Sequence, residues 1–183
     1  MSHYYFDIET TGLNPLHDQI LTIQYQELDR LKGTPKGPLK IHKIWDDSQS
    51  EKGIVSEFAQ LILQSDPFSF VPVGNNLVFD FKFLSAKFTQ HLSMDVDTLY
   101  FLNRPHIDLK HVLILINNGN FKGYHQLLGK SGQGKMIPYW YSQEQFNKII
   151  DYVTNEATSF TKMCTKLQRL LPNLFNRRID EFV

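Results

Sequence analysis

The sequence contains one cysteine, Cys164, among its 183 residues. A single cysteine cannot form an internal disulfide bond or build a zinc site by itself, so a disulfide-stapled domain is excluded. We expect Cys164 to be a buried small apolar residue, and we expect a reducing compartment, with the cytoplasm as the default.

The sequence also lacks an excess of charge, because 19 basic residues balance 19 acidic ones. The field of the whole protein will not attract phosphate, so a nucleic-acid partner must be held by a local patch or by metal ions. No apolar run approaches the roughly 18 residues of a membrane span, so we expect no membrane partner. No signal-peptide pattern occurs, and a functional Asp7 so near the start argues against a cleaved leader.

Low-complexity tracts and linkers are absent too, and residues 1–183 are expected to form one domain. The first third indicates three strands joined by turns, which favours an antiparallel meander. The second strand alternates apolar and polar residues as a half-covered strand does. The expected strands are 3–8, 20–28 and 39–45.

Helices and further strands alternate in the rest of the chain, which predicts a mixed sheet flanked by helices, an α/β fold. Ser48 and Glu51 have capping-box spacing before a helix that ends near Pro67. Next we expect a strand at 68–73 and a helix carrying Phe79, Phe83, Leu84 and Phe88. Residues 94–102 are expected to form a strand or a strand ending in a helical turn, and residues 109–116 either a helix or a strand. The last element is a helix capped by Ser142 and Gln145 that reaches about Leu171 before Pro172.

Asp7 and Glu9 lie two residues apart on the first strand, so both side chains leave the same face and could hold one divalent cation. Solvated carboxylates at an exposed strand end are the ordinary explanation for such a pair. This strand is otherwise apolar and looks central, and two charges there cost several kcal/mol unless a metal or a partner neutralises them.

Three further residues could complete a site. Asp80 lies near the start of a helix between two phenylalanines, where the helix dipole offers a purely structural explanation for a carboxylate. Tyr152 and Glu156 are four residues apart on the long helix and share one side of it, at the border of the apolar stripe. Taken alone, that pair is also typical of a solvated helix flank.

The combination resembles the DEDD exonucleases. The stretch from Asp7 to Leu13 (DIETTGL) is similar to their first motif, Asn76 to Asp80 (NLVFD) to the second, and Tyr152 to Ala157 (YVTNEA) to the third motif of the tyrosine subgroup. The order is right and the motifs frame most of the chain. The context is most similar to the proofreading domains of family-B DNA polymerases and to small stand-alone relatives.

This resemblance implies an RNase H-like fold with a mixed five-stranded sheet, and hydrolysis of phosphodiester bonds from 3' ends of single-stranded or frayed nucleic acid, with DNA favoured over RNA. It implies two Mg²⁺ or Mn²⁺ ions, which oxygen ligands suit. Asp7 would bridge both ions, Glu9 and Glu156 would hold one and Asp80 the other. Tyr152 would orient or help deprotonate the attacking water. The implied substrate-positioning residues are Thr10, Leu13 and either Asn75 or Asn76.

One residue departs from the family pattern, since the third motif usually ends in aspartate and this sequence has Glu156. The extra methylene moves the carboxylate outward, so the helix must stand back or the metal geometry must change. A non-catalytic RNase H-like module that binds nucleic acid or protein is therefore one alternative. An RNA-trimming ribonuclease with the same chemistry is another.

Two weaker features accompany the motifs. The glycine-rich segment 129–135 mimics a phosphate-binding loop, but Met136 replaces the required Ser or Thr, and Pro138 is expected to block the following helix. Lys122, Lys130 and Lys135 could contact a nucleic-acid backbone, or the loop around them could simply be solvated. Asp97 and Asp108 resemble acidic positions in related enzymes, although loop capping is the commoner role.

Overall fold

The computed structural model describes residues 1–46, 49–120 and 133–175. Within them a mixed five-stranded sheet has the order β3-β2-β1-β4-β5. Strands β1 to β3 are antiparallel, and β4 and β5 continue the sheet in parallel with β1. The strands are β1 His3–Thr10, β2 Ile20–Leu28, β3 Lys40–Lys43, β4 Val71–Gly74 and β5 Ile107–Asp108.

Helices cover both faces of this sheet. Phe6 and Ile8 of β1 pack with helices α1 and α2 on one face, while Tyr5 packs with the long helix α6 on the other. The helices of the described ranges are α1 Glu51–Ile62, α2 Leu77–Leu92, α3 Thr98–Leu102, α4 Leu109–Ile116, α5 Ile137–Ser142 and α6 Phe146–Phe175, with a 3-10 turn at Gln133–Met136. None of them combines the length and apolar character that crossing a membrane requires.

The predicted architecture is confirmed: three antiparallel strands come first, and the five-stranded sheet is mixed and flanked by helices. Strand β2 has the expected bounds, whereas β3 and β4 are shorter than expected. The segment 109–116, left open between helix and strand, is helix α4.

The prediction of a strand within 94–102 was wrong, although its helical end was right. Residues 98–102 form α3, whose first turn is capped by the carboxylate of Asp97 accepting from the Tyr100 N–H. The fifth strand is instead the two-residue β5. A short apolar run fits both the helical and the strand period, and the Asp97 cap favours the helix.

The prediction that β2 is half covered was also wrong. Thr22 and Gln24 are fully buried, because they lie opposite Glu9 and Asp7 on the face that α6 covers. Both side chains are satisfied there by hydrogen bonds, which makes burial of polar groups tolerable.

Two predicted helix boundaries need correction. The α1 N-cap is Ser50, which accepts from the Gly53 N–H, while Ser48 lies outside the described residues. Ser142 ends α5 and does not cap α6, since its hydroxyl donates to the Tyr139 carbonyl. Helix α6 continues past Pro172 to Phe175, so this proline does not end it, although an interior proline costs a helix one hydrogen bond.

Most of the glycine-rich loop, including Lys122 and Lys130, lies outside the described residues. The prediction that Pro138 blocks a following helix was wrong, because Pro138 occupies the first turn of α5, where an N–H donor is not needed. Met136 in place of Ser or Thr still argues against a triphosphate-binding loop.

Candidate active site

The acidic pair Asp7 and Glu9 lies on the central strand of the sheet. Strand β1 is hydrogen-bonded to β2 on one side and β4 on the other, and alternation directs both carboxylates toward α6. They open into a pocket of about 220 Å³. Its lining residues are Asp7, Ile8, Glu9, Asn75, Asn76, Phe79, Asp80, Tyr152 and Glu156.

Helix α6 brings the third carboxylate to this pair. One ligand oxygen from each of Asp7, Glu9 and Glu156 lies within 4.8 Å of the other two. Glu156 is only 8% exposed, so its carboxylate faces the pocket from the helix border and not from a solvated flank. The longer side chain of Glu156 therefore does reach the β1 carboxylates.

Asp80 approaches from the opposite side, in the first turn of α2. It is 3% exposed, and its Oδ1 accepts a hydrogen bond of 3.2 Å from the Ile8 N–H, which ties α2 to β1 between the two acidic residues. Asp80 lines the pocket but is not a member of the tight three-carboxylate group. The arrangement is thus a cluster of three carboxylates with a fourth beside it.

A buried polar network that was not predicted from the sequence holds Asp7 from the side away from the pocket. The Tyr5 hydroxyl and the Gln24 amide each donate to Asp7 Oδ2 at 3.4 Å. Thr22 donates in turn to Gln24 Oε1 at 2.8 Å. The strand register, which pairs Asp7 with Gln24, was the feature that could have revealed it.

The electrostatics of the pocket keep the two tyrosines neutral. Burial, followed by the negative charges of Glu156 and Glu9, raises the pKa of Tyr152 well above its ordinary value. Burial, followed by the charge of Asp7, does the same to the pKa of Tyr5. Both phenols are therefore hydrogen-bond donors at neutral pH, which suits a position beside carboxylates.

The described end of the glycine-rich loop reaches Tyr152. A Cβ atom added at Gly134 would lie 3.0 Å from the Tyr152 hydroxyl, which is tighter than ordinary packing. Glycine at this position leaves the tyrosine its place at the pocket wall. The indole of Trp140, on α5, packs on the Tyr152 ring in a tilted orientation, with the two ring centroids 6.4 Å apart.

Asn75 and Asn76 both line the pocket, but they differ in their partners. Asn76 adopts a left-handed backbone conformation at the start of α2, and its Oδ1 accepts from Lys110 Nζ at 2.8 Å. Asn75 Oδ1 is buried and has no hydrogen-bond donor among the residues that the structure describes.

Asp108 fixes the asparagine turn. Its two carboxylate oxygens accept from the N–H groups of Asn76 and Leu77, and Oδ1 also accepts from the N–H of Lys110. Both Asp97 and Asp108 thus act as helix caps, the role expected for such residues.

Thr10 and Leu13, the other two residues implied to position a substrate, do not line the pocket. The Thr10 hydroxyl donates to the Gly12 carbonyl at 2.6 Å and shapes the turn after β1. Leu13 is 84% exposed in that turn. Both are close in sequence to the β1 carboxylates, but their side chains serve the turn and the surface.

The cluster supplies only hard oxygen donors, which suit Mg²⁺ or Mn²⁺ better than soft metals. Three carboxylates held this close repel one another in the absence of a cation. Their chemistry therefore fits a divalent metal.

Comparisons with known proteins agree with this fold. A model of the RNase H superfamily matches residues 4–155. Ligand-free exonuclease I is 15% identical, with 67% of this chain and 32% of that chain covered and a TM-score of 0.51. E. coli exonuclease I in a zinc-bound complex with single-stranded DNA is 14% identical over 67% of this chain and 30% of that one, with a TM-score of 0.52.

A third structure, E. coli exonuclease I with a dA16 oligonucleotide, is 15% identical over 63% of this chain and 30% of that chain, with a TM-score of 0.50. The matched part amounts to about a third of the length of these exonuclease I chains. No curated protein matches the sequence. Identities this low establish a shared fold, and the family match covers most of the sequence, so the chain belongs to the RNase H superfamily.

Proposed function

We propose that the chain is a metal-dependent 3'-5' exonuclease of the tyrosine subgroup of DEDD enzymes. Its substrates are single-stranded or frayed nucleic-acid ends, with DNA favoured. One observation carries the proposal: carboxylates from β1 and α6 converge within 4.8 Å, with Asp80 and Tyr152 lining the same pocket. The three motifs that resemble this family supply these same residues.

The residues fit a pair of divalent cations. Asp7, Glu9 and Glu156 would hold one, and Asp7 with Asp80 would hold the other. When bound, such cations stabilise the negative charge that develops on the attacking and leaving oxygens of a phosphodiester.

The protein's own groups define the rest of the chemistry. Burial and the carboxylates of Glu156 and Glu9 raise the pKa of Tyr152 in the metal-free pocket, and its hydroxyl would orient the attacking water by hydrogen bonding. Asn75 Oδ1 is an acceptor at the pocket wall that a hydroxyl or amino group of a terminal nucleotide would satisfy.

Gln24 and Tyr5 act from behind the site. Their hydrogen bonds to Oδ2 restrain the carboxylate of Asp7, which lines the pocket. Because both donors are buried, water does not compete for these hydrogen bonds.

Digestion of strands labelled at the 3' or the 5' end tests the proposal. With Mg²⁺ or Mn²⁺, the 3' label is expected to appear in mononucleotides at once, whereas a 5'-labelled strand shortens progressively. Asp7→Asn should abolish both patterns. Running DNA and RNA strands of one sequence in parallel decides the ribose preference.

Two results would count against the proposal. If neither strand is shortened with either metal, the chain is a non-catalytic binding module. If the 5' label is released first, the site is a nuclease of the opposite polarity.

A further inference from the structure

Outside the pocket, the clearest concentration of charge is a groove of about 680 Å³ between α6 and the loop after β2. Among the residues that the structure describes, the four charged residues that line it are all basic and exposed, in a protein whose total charge is zero. The charged members are Lys32, Lys162, Lys166 and Arg169, and the others are Leu31, Thr34, Thr165 and Gln168.

The groove is built into the fold. Gly33 has a φ of +67°, and an added Cβ would meet the Cys164 carbonyl, so only glycine lets the loop lie this close to α6. Thr165 also donates to the Gly33 carbonyl at 3.3 Å. The loop wall and the helix wall are therefore held together.

The charge of the helix wall is one-sided. After Glu156, the described part of α6 has no acidic residue as far as Phe175, while Lys162, Lys166 and Arg169 follow one another on one face. No ion pair joins the groove cations to any acidic side chain that the structure describes. Asp29, in the neighbouring turn, accepts with its Oδ1 from the N–H groups of Leu31 and Lys32.

Helix electrostatics alone do not explain this pattern. Cations are favoured in the last turn of a helix, where the dipole places partial negative charge. Lys162 lies several turns before the end of α6 at Phe175, and that effect fades within one turn. A ligand of negative charge would account for the cluster.

We propose that this cationic groove binds the phosphate backbone of a single-stranded nucleic acid, as a second anchor for the strand whose 3' end occupies the carboxylate pocket. The inference rests on the proposed function for its choice of ligand. A neutral protein must hold phosphates through a local patch, and this groove is such a patch.

The geometry favours a strand over an acidic peptide. At 1.5 Å per residue, Lys162 lies about 9 Å and Arg169 about 20 Å along α6 from Glu156. The three helix cations rise in steps of about 6 and 4.5 Å, a line of charges that a phosphate backbone can follow. The same rigid helix carries Glu156 and Tyr152, about a third of a turn away around its axis, so pocket and anchor keep a fixed separation.

None of the described residues that line the groove is aromatic, so they offer bases no ring to stack on. Contacts would be made to phosphates, and binding would be independent of sequence and sensitive to salt. Strands too short to reach the groove would not use it.

Fluorescence anisotropy in metal-free buffer tests the anchor, since no cleavage occurs there. The probes are dT strands of about 4 and about 16 nucleotides, the range that single-strand sites span. The variant is Lys162→Gln, Lys166→Gln and Arg169→Gln combined. A matched control, Lys40→Gln with Lys52→Gln and Lys82→Gln, removes the same charge from exposed lysines elsewhere.

For the longer strand, the groove variant should bind about tenfold or more weakly, and its salt slope should fall by about 2 for three lost phosphate contacts. The control and a charge-preserving variant with Lys162→Arg, Lys166→Arg and Arg169→Lys should behave as the wild type does. The short strand covers fewer of the groove cations, so the groove variant should lose less affinity for it than for the longer strand. Circular dichroism checks that each variant is folded.

The proposal is overturned if the groove variant binds the longer strand as the wild type does, or if the control loses as much. It is also overturned if a polyglutamate peptide binds the groove more tightly than the strand, which would identify an acidic protein partner. Because binding is measured without metal, the two proposals fail separately. If the protein digests strands but the groove variant binds them as tightly as the wild type does, only the anchor is rejected. A functional anchor without digestion rejects only the exonuclease.

Discussion

At the scale of single residues, Glu156 is the position where the chain departs from the aspartate expected in the third motif. The structure places its carboxylate with those of Asp7 and Glu9, within 4.8 Å. The extra methylene is thus used to span the distance from α6 to β1. Glutamate at this position therefore suits the distance between α6 and β1 in this fold.

Restoring the more usual residue should therefore harm this protein. Glu156→Asp withdraws the carboxylate by roughly one carbon–carbon bond, about 1.5 Å, and metal affinity is expected to fall about tenfold or more. Isothermal titration with Mn²⁺ measures it, with Glu156→Gln as the variant that lacks the charge. Tighter metal binding by Glu156→Asp would mean that α6 moves freely toward β1, contrary to this account.

Gln24 is expected to tune the site without touching a substrate. Gln24→Met keeps the length and removes the amide that donates to Asp7 and accepts from Thr22. Loss of such an outer hydrogen bond lowers metal affinity about 10- to 100-fold. Gln26→Met, on the same strand but half-exposed and bonded to Gly37, is the matched control. If both variants bind metal with equal affinity, Gln24 has no role in the metal site.

The pH dependence of activity tests the role of Tyr152. Burial and the charges of Glu156 and Glu9 raise its pKa in the metal-free pocket, which favours the neutral phenol below the ordinary tyrosine value of about 10. Tyr152→Phe should lower kcat about 10- to 100-fold, yet leave the shape of the pH–rate profile unchanged between about pH 7 and about pH 9. Wild-type activity that rises with pH in this range and loses that rise in the variant would instead indicate a phenolate base.

At the scale of elements, β1 and α6 were predictable because their patterns are strong. Alternation placed Asp7 and Glu9 on one face, and the apolar stripe of α6 placed Glu156 and Tyr152 at its border. The two-residue β5 is too short to carry a period, and the burial of Gln24 depends on which helix covers the sheet. Those features are decided by tertiary packing.

Asp108 shows how one element can set the position of another. It joins the start of α4 to the start of α2, the helix that carries Asp80. Asp108→Ala removes three accepted hydrogen bonds and should lower the free energy of unfolding by about 1–3 kcal/mol, with reduced nuclease activity.

Urea denaturation of Asp108→Ala beside Asp97→Ala measures this effect. Asp97 caps only the short α3 with one bond to Tyr100 N–H, so its loss should cost less and spare the activity. If both variants are equally stable and equally active, Asp108 does not organise the start of α2.

At the scale of the whole molecule, neutrality hides a strongly uneven distribution of charge. The acidic residues Asp7, Glu9, Asp80 and Glu156 gather in one pocket, while the basic groove occupies the far half of α6. Counting residues predicted that a local patch would be needed for nucleic acid. Its location could not be predicted, because one wall of the groove comes from the loop after β2 that Gly33 brings to α6.

The RNase H-like scaffold explains why so much of the candidate site could be predicted. A central strand, a helix start beside it and one crossing helix bring distant motifs together, so motif order alone implied the pocket. The motifs did not indicate that Thr10 and Leu13 lie outside the pocket lining. Turn geometry after β1 decides where those side chains go.

We expect Asp7, Glu9, Asp80 and Glu156 to form one divalent-metal centre. A calorimetric titration of the intact protein with Mn²⁺ measures this, with Asp7→Asn as the comparison and Asp97→Asn as the matched control. Saturable binding of two ions is expected for the wild type and for Asp97→Asn, with loss of that binding in Asp7→Asn. If Asp7→Asn binds Mn²⁺ as the wild type does, or if the wild type shows no saturable binding, these residues do not form a metal centre.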